Sequence, residues 1–134
     1  MATTETTYLG ELRTEVTHVL SGNKLITDAP LDNNGKGEAF SPTDLLASSL
    51  GSCMLTVMGI AARTHQINMD GATCSITKIM ASDPRRVGEI QAEVTFTGAL
   101  TDKEKAILEH SAKTCPVFYS LHPDIQKVIS FKYL

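Results

Sequence analysis

The sequence predicts an α+β fold in which antiparallel sheets are wrapped around a long buried central helix. Residues 41–66, SPTDLLASSLGSCMLTVMGIAARTHQ, form an apolar stretch long enough for a helix of about 36 Å. Segments on both sides of it alternate apolar and polar residues with the two-residue period of a strand. Strand and helix do not alternate regularly along the chain, so a doubly wound parallel sheet is disfavoured.

The chain begins with a predicted antiparallel hairpin after a polar start that is expected to fray. Residues 8–19 and 24–29 alternate like strands, and the SGN turn at 21–23 suits the tight connection between them. Pro30 ends the second strand, and DNNGKG at 32–37 predicts a flexible flap before the central helix. A phosphate-binding loop is disfavoured because G-x-x-x-x-G-K-[ST] is absent.

The central helix has a well-defined predicted start. Ser41 and Asp44 form a capping box, and Pro42 occupies the first helical position, where no backbone donor is needed. Two stripes follow at helical spacing, one apolar and one of small residues, and the small one is expected to let the same helix of a second subunit approach. The apolar stripe is Leu46, Leu50, Cys53, Val57 and Ile60, and the small stripe is Ser48, Ser49, Ser52, Thr56 and Gly59. The hydroxyls in the second stripe argue against a membrane span.

The second half of the chain predicts a further hairpin, two helices and a closing strand. Each hairpin strand has one apolar face, which is expected to cover the central helix. The predicted order is β-β-α-β-β-α-(short α)-β. The elements are strands at 73–81 and 89–97, a helix from Thr101 to about residue 113, a short helical turn at 117–121, and a strand at 125–134.

Length and composition limit the class of protein. With 134 residues, 42% of them hydrophobic, the chain is expected to form a single domain over 1–134. A net charge of −3 and dispersed lysines disfavour nucleic-acid binding. The N-terminus lacks a basic region followed by an apolar one, so a cytoplasmic location without membrane association is expected.

The three cysteines are predicted to be thiols rather than parts of permanent disulfides. Their number is odd, and the expected compartment is reducing. The four histidines show no metal-ligand spacing with them, so no metal or other cofactor is expected. A hydrolase or transferase that pairs a cysteine with a histidine stays open, because such partners meet in space rather than in sequence.

Each cysteine also has a plain structural interpretation. A free cysteine behaves as a small apolar residue, so Cys74 in a strand is expected to belong to the core, and Cys53 on its apolar stripe could do so too. Cys115 differs because it stands at a helix break before Pro116. Its backbone is therefore held in place, and the adjacent helix start favours a thiolate.

Two segments resemble one known family. SPTDLLASSLGSCM at 41–54 and SAKTCPV at 111–117 are similar to the OsmC/Ohr superfamily, the osmotically inducible protein C and organic hydroperoxide resistance proteins. The resemblance covers nearly the whole chain after Thr7 and agrees with the predicted order of elements. It implies an OsmC-like fold and an intertwined homodimer with the long helices packed centrally.

The resemblance also implies a redox enzyme, a cysteine-based peroxidase that reduces organic hydroperoxides. Cys53 would attack the peroxide, and Cys115 would resolve the product through an intramolecular disulfide that an unidentified dithiol reductant reopens. Arg13, the only arginine before the central helix, would stabilise the attacking thiolate. Cys53 lies about three turns inside its helix, beyond the reach of the helix dipole, so a nearby cation is needed. Lys24 and Lys36 are the other candidates, but arginine stays charged when partly buried.

One departure from the family pattern points to an alternative function. Family members with strong hydroperoxide activity usually carry N-P-E-x-L at the helix start, whereas Thr43 stands here in place of the glutamate. Asp44 is a poor substitute because it belongs to the capping box. The alternative is an OsmC-like dimer with weak or no peroxidase activity that binds a small apolar or thiol-containing ligand.

Overall fold

The computed structural model describes all 134 residues and confirms the α+β class. The chain divides into two compact units, residues 1–46 and 47–134, so a single domain over 1–134 stays a prediction. The elements, in chain order, are β1 Thr4–Gly10, β2 Arg13–His18, β3 Lys24–Asp28, a 3-10 turn Leu31–Asn33, α1 Pro42–Thr64, β4 Thr73–Ala81, β5 Arg86–Phe96, α2 Asp102–Ala112, α3 Pro116–Ser120 and β6 Gln126–Tyr133.

The N-terminal unit contains a three-stranded antiparallel sheet in the order β1-β2-β3. The prediction of one strand over 8–19 is wrong, as is that of a frayed start, and the order of elements therefore gains a strand. The chain turns at Glu11 and Leu12, whose φ angles are 53° and 65°, directly after Gly10. Residues other than glycine rarely adopt positive φ, so the sequence pattern did not indicate this turn.

The predicted hairpin between β2 and β3 is confirmed. The His18 amide donates to the Asn23 carbonyl at 2.7 Å, and the Gly22 amide donates to the His18 carbonyl at 2.8 Å. Gly22 has φ 78°, a conformation that glycine adopts without steric cost. The turn sets the register that places Arg13 opposite Asp28.

The loop at 29–40, which includes the predicted flexible flap, makes hydrogen bonds and an ion pair within its own unit. The Gly35 amide donates to the Pro30 carbonyl at 2.9 Å, and Lys36 Nζ lies 2.8 Å from Glu11 Oε2. A Cβ on Gly35 would lie 1.7 Å from the Ala29 carbonyl oxygen. The loop therefore packs directly on the end of β3, and only glycine fits at position 35.

Helix α1 begins as predicted. The Ser41 hydroxyl accepts a hydrogen bond from the Asp44 amide at 3.0 Å, and the Ser41 amide donates to Asp44 Oδ2 at 3.0 Å. These reciprocal bonds satisfy two of the backbone donors that a helix start leaves without partners. The helix ends at Thr64, slightly before the predicted Gln66, which has φ 55°.

The buried face of α1 is rotated from the predicted apolar stripe. Leu50 is buried as predicted, but Leu46 and Ile60 are 43% and 63% exposed. A Cβ on Gly51 would lie 3.1 Å from Ile76 Cγ1, so the helix approaches β4 closely at this glycine. Small residues therefore decide which face turns inward. The fully buried residues of the helix are Ala47, Leu50, Gly51, Met54, Met58 and Ala62.

The C-terminal unit contains a second three-stranded sheet, in the order β4-β5-β6. The predicted β4–β5 hairpin is confirmed, and its apolar face is buried at Ile90, Ala92, Val94 and Phe96. The prediction of a purely antiparallel sheet is wrong, because β6 runs parallel to β5. Helices α2 and α3 form the crossover between these strands, and parallel pairing requires a connection of that length.

The two short helices begin at the caps that the sequence predicts. The Thr101 hydroxyl accepts from the Glu104 amide, and the Glu104 carboxylate accepts from the Thr101 amide, which completes the capping box of α2. Helix α3 has Pro116 at its first position and Cys115 as its N-cap. The break between α2 and α3 therefore fixes the backbone of Cys115.

Candidate functional site

Cys53 lies in the middle of α1, between its buried and exposed faces. The side chain is half-buried and packs against the hydrophobic core of the C-terminal unit. It neighbours Met54, which is completely buried, and Ser52, which is exposed. The sulfur is thus partly shielded by apolar groups while one side of it faces the surface of the chain.

Cys115 is completely buried, with 0% of its surface exposed. As the N-cap of α3 it has extended backbone angles, φ −78° and ψ 149°, and its sulfur accepts a hydrogen bond from the Phe118 amide at 3.4 Å. Pro116 favours this extended conformation in the residue before it. The start of α3, which Cys115 caps, therefore fixes the orientation of the thiol.

The structure brings the side chains of these two predicted cysteines close enough for their sulfurs to interact. Burial raises the pKa of Cys115, and the interaction with the Cys53 sulfur raises it further, against the opposing effect of the Phe118 amide. The thiol form of Cys115 is therefore favoured at neutral pH. All three cysteines of the chain are free thiols.

Cys74 lies in β4, on the face that packs against α1, as expected of a core residue. Its sulfur would be 3.3 Å from a Cβ on Gly51. Burial raises the pKa of the Cys74 thiol. Cys74 thus belongs to the packing between β4 and α1, whereas the interaction of Cys115 is with Cys53.

Arg13 lies on β2 in the N-terminal unit, where a bidentate ion pair holds it to Asp28. Its Nε is 2.7 Å from Asp28 Oδ1, and its Nη2 is 2.9 Å from Oδ2. The Asp28 side chain is 1% exposed, and the hydrogen bonds from Arg13 hold its pKa below the usual value even though burial opposes this shift. Sequence reasoning missed Asp28. The register that places it opposite Arg13 follows from the His18–Asn23 pair of the folded hairpin, whereas counting outward from the SGN turn at 21–23 does not reach it.

The first turn of α1 holds the residues that replace the family's acidic motif. Thr43 Oγ1 lies 3.2 Å from Ser41 Oγ, and both Asp44 bonds to Ser41 belong to the capping box. The carboxylate of Asp44 thus serves the start of the helix, as the sequence indicates. Arg13 and this turn belong to the N-terminal unit, so the predicted contribution of Arg13 to the thiol chemistry stays a prediction.

An open cleft of about 420 Å³ lies beside the second half of α1, beginning one helical turn after Cys53. Cys53 itself does not line it. The lining residues are Thr56, Gly59, Ile60, Ala62, Arg63, Ile67, Met69 and Asp70. The chain brings no three or more His, Cys, Asp or Glu side chains together in a way that could hold a metal ion.

A family model described as OsmC-like protein matches residues 35–129, a range that includes both paired cysteines. The chain belongs to this family. It is 54% identical to a candidate osmotic stress induced and detoxification response protein from Psychrobacter arcticus, with a TM-score of 0.95. The similarity covers 98% of this chain and 96% of that one.

Two more distant members of the OsmC family share the fold. An OsmC-like protein from Mycoplasma pneumoniae is 15% identical with a TM-score of 0.82, over 98% of this chain and 95% of that one. An organic hydroperoxide resistance protein OsmC from Legionella pneumophila is 17% identical with a TM-score of 0.77, over 98% of both chains. The comparison with curated proteins gives no significant match.

Proposed function

We propose that this OsmC family member is a thiol-dependent peroxidase that reduces organic hydroperoxides. The observation that carries the proposal is the contact between two free thiols that differ in accessibility, since Cys53 is half-buried and Cys115 is fully buried. A substrate therefore reaches the Cys53 sulfur first. The name of the Legionella pneumophila protein supports hydroperoxide as the substrate class.

In the first step the Cys53 thiolate attacks the terminal oxygen of the hydroperoxide. The O–O bond breaks, the alkoxide takes a proton and leaves as an alcohol, and Cys53 becomes a sulfenic acid. The peroxide is reduced by the two electrons that the sulfur loses. The apolar surroundings of Cys53 suit a substrate with an organic tail.

In the second step the Cys115 sulfur attacks the Cys53 sulfenic acid. A disulfide forms, and the sulfenic hydroxyl leaves as water with the thiol proton of Cys115. The proximity of the two side chains supports this step, because reacting groups that are already held close need little movement to form a bond. A dithiol reductant then transfers two electrons, opens the disulfide and restores both thiols.

Arg13 is proposed as the cation that stabilises the thiolate, within a cytoplasmic homodimer. Arg13→Met should reduce the fraction of Cys53 present as thiolate at neutral pH and slow its oxidation by cumene hydroperoxide. Arg86→Met is the matched control, since Arg86 is exposed at the β4–β5 turn and bonds only backbone carbonyls. An unchanged oxidation rate in Arg13→Met would mean that Lys24 or Lys36, and not Arg13, is the candidate cation that stabilises the thiolate.

The decisive experiment treats the reduced protein with an equimolar amount of cumene hydroperoxide. A peroxidase loses both paired thiols at this ratio, and peptide mapping finds a Cys53–Cys115 disulfide with Cys74 free. The protein should then turn over further peroxide when a small dithiol is supplied. Cys74 in the disulfide, or retention of all thiols, would contradict the proposal.

The same experiment tests the alternative function, a dimer that binds a small apolar or thiol-containing ligand. The cleft beside α1 is large enough for such a ligand, and Thr43 in place of the family glutamate favours weak catalysis. A protein that retains its thiols under peroxide yet binds an apolar fluorescent probe would support the alternative. Loss of probe binding in the Ile60→Lys variant would indicate that the ligand binds in the cleft.

A further inference from the structure

Lys127 of β6 joins three parts of the C-terminal unit. Its side chain is half-buried, and its Nζ donates to the carbonyl oxygens of Ile125 at 3.1 Å and His122 at 3.4 Å. The same ammonium lies 5.4 Å from the centre of the Phe118 ring, within the range of cation–π attraction. One cation thus connects β6, the loop that precedes it and helix α3.

Phe118 connects this cation to the cysteine that is proposed to close the disulfide. Its ring faces Lys127, while its amide donates to the Cys115 sulfur at 3.4 Å. Ring and amide belong to one residue in the first turn of α3, so a movement of the ring also displaces the amide. The contact with Lys127 is therefore transmitted to the Cys115 sulfur.

Helix α3 depends on such contacts because it is short. It has five residues, and a helix of that length gains most of its stability from packing against other elements. The ring of Phe118 packs against the hydrophobic core on one side and meets the Lys127 ammonium as well. These contacts determine where α3, and with it the Cys115 sulfur, lies.

The bond from the Phe118 amide also affects the reactivity of Cys115. Burial raises the pKa of the Cys115 thiol, and the hydrogen bond from the amide opposes this rise. The thiolate is the form of a cysteine that attacks another sulfur. A loosened α3 would therefore present a sulfur that is both less well oriented and less often ionised.

From these contacts we propose that Lys127 is a positioning residue for Cys115: it holds Phe118, and through the Phe118 amide it orients the sulfur that closes the disulfide. The inference rests on the proposed peroxidase function and concerns its second step alone. In that step a sulfur–sulfur bond forms, and the sulfenic hydroxyl of Cys53 leaves as water with the proton of Cys115. Lys127 acts through Phe118 and exchanges no atom or electron.

A purely structural role for Lys127 is the competing explanation, because its bonds to two carbonyls also hold the loop before β6. Removal of the lysine would then lower the stability of the fold without changing how oxidised Cys53 reacts. Positioning instead predicts that attack by Cys115 slows while the first step does not. A competition for the Cys53 sulfenic acid separates the two explanations.

The test lets Cys115 compete with dimedone. Reduced protein reacts with an equimolar amount of cumene hydroperoxide in excess dimedone, and mass spectrometry measures the ratio of Cys53–Cys115 disulfide to dimedone adduct on Cys53. In Lys127→Met, which keeps an aliphatic side chain but removes the charge, this ratio should fall by about ten- to a hundredfold. The rate of peroxide consumption should not change, because Lys127 acts after the first step.

Lys132→Met is the matched control, because Lys132 lies on the same strand with an exposed side chain. Its ratio of disulfide to adduct should equal that of wild type. Lys127→Arg keeps a cation that can stack on the Phe118 ring and donate to carbonyls, so it should recover part of the ratio. Circular dichroism and a melting curve establish that each variant is folded under the assay conditions.

Phe118→Leu tests the link between the lysine and the sulfur. Leucine keeps the backbone amide and an apolar side chain but removes the ring that attracts the ammonium. The ratio should therefore fall in this variant too, and Lys127→Met should add little in the double variant, since both changes remove one interaction. Full additivity of the two changes would overturn the proposed action through Phe118.

A folded Lys127→Met protein with the wild-type ratio would overturn the inference, since the lysine would then only stabilise the loop. If Lys127→Met does not fold, a folded Phe118→Leu protein with the wild-type ratio has the same meaning. A wild-type protein that does not react with peroxide overturns the proposed function instead, and oxidised glutathione then replaces the peroxide.

Oxidised glutathione tests the position of Cys115 without any peroxide chemistry. The Cys53 thiol displaces one glutathione and forms a mixed disulfide with the other, which Cys115 displaces in turn as it closes the Cys53–Cys115 disulfide. A lower ratio of this disulfide to the mixed disulfide in Lys127→Met than in wild type would support the inference. An equal ratio in the two proteins would overturn it.

Discussion

The two paired cysteines differ in burial, and under the proposed function this difference assigns their order of reaction. Because Cys115 has no exposed surface, the proposed order has peroxide react with Cys53 and Cys115 react with the oxidised Cys53. In Cys115→Ser the first step should proceed and stop at the sulfenic acid of Cys53, since no thiol is present to form the disulfide.

Mass spectrometry after trapping with dimedone measures this intermediate. Cys115→Ser should accumulate the adduct on Cys53, while wild type and the control Cys74→Ser should pass to the disulfide. Over-oxidation of Cys53 to sulfinic acid is expected at higher peroxide, because the resolving step is missing. A disulfide between Cys53 and Cys74 in the Cys115→Ser protein would contradict the separate role assigned to Cys74.

The Arg13–Asp28 ion pair makes the free energy of unfolding depend on pH. The bond from Arg13 lowers the pKa of Asp28 in the folded chain, whereas an unfolded aspartate titrates at about 3.9. The stabilisation is therefore present in full above that value and is lost as the pH falls through the lower, folded pKa.

Urea unfolding of wild type and Asp28→Asn across pH tests this dependence. Wild type should be more stable near neutral pH, and the difference between the two proteins should shrink below about pH 4. Glu15→Gln, in a more exposed pair with Lys24 at 3.5 Å, is the control and should change the unfolding free energy little. A difference that stays constant across pH would exclude the ion pair as its source.

At the scale of the element, the packing of α1 on β4 depends on Gly51. A Cβ there would lie 3.1 and 3.2 Å from Ile76 Cγ1 and Cδ1 and 3.3 Å from the Cys74 sulfur. Alanine is the better helix former by about 1 kcal/mol, but overpacking costs about 1–3 kcal/mol. Gly51→Ala should therefore lower the unfolding free energy by up to about 2 kcal/mol.

A double-mutant cycle with Ile76→Val separates the two contributions. Valine lacks the Cδ1 that crowds the new methyl group, so Gly51→Ala should cost less in the Ile76→Val background than in wild type. Denaturant unfolding measures each corner of the cycle. Strict additivity would mean that the glycine is needed for a reason other than its contact with Ile76.

At the scale of the whole molecule, α1 leaves an apolar face uncovered within one chain. Its most apolar window has a mean hydropathy of 1.8, yet only 33% of that window is buried, and a Cβ on Gly59 would meet no atom within 4 Å. Length and composition alone would let this helix cross a membrane. The family resemblance favours a second copy of the chain as the partner that covers this face.

Light scattering should therefore find a homodimer. Gly59→Trp, which places a large side chain on the uncovered face, should shift the protein toward monomer, while Lys103→Trp on α2 should leave the dimer intact. Both variants are to be compared at the same protein concentration, since the dimer equilibrium depends on it. A monomeric wild-type protein would contradict this prediction. Sedimentation of the protein with lipid vesicles would indicate that a membrane surface covers this face instead.

The sequence by itself determined the local features of this protein. Capping boxes at Ser41 and Thr101, the turn at 21–23 and the alternating strands of the second hairpin all follow from interactions within a few residues. The two segments around Cys53 and Cys115 also identified the family, which the match over 35–129 confirms. The reaction assigned to those cysteines remains a proposal.

Only the tertiary structure decided the features that depend on contacts distant in sequence. The face of α1 that turns inward is set by clearance at Gly51, which no hydrophobic period reveals. The parallel direction of β6 depends on how α2 and α3 cross the sheet, and the turn at Glu11 and Leu12 depends on strand pairing that outweighs the cost of positive φ. Asp28 became a partner of Arg13 for the same reason, since burial and register are properties of the folded sheet.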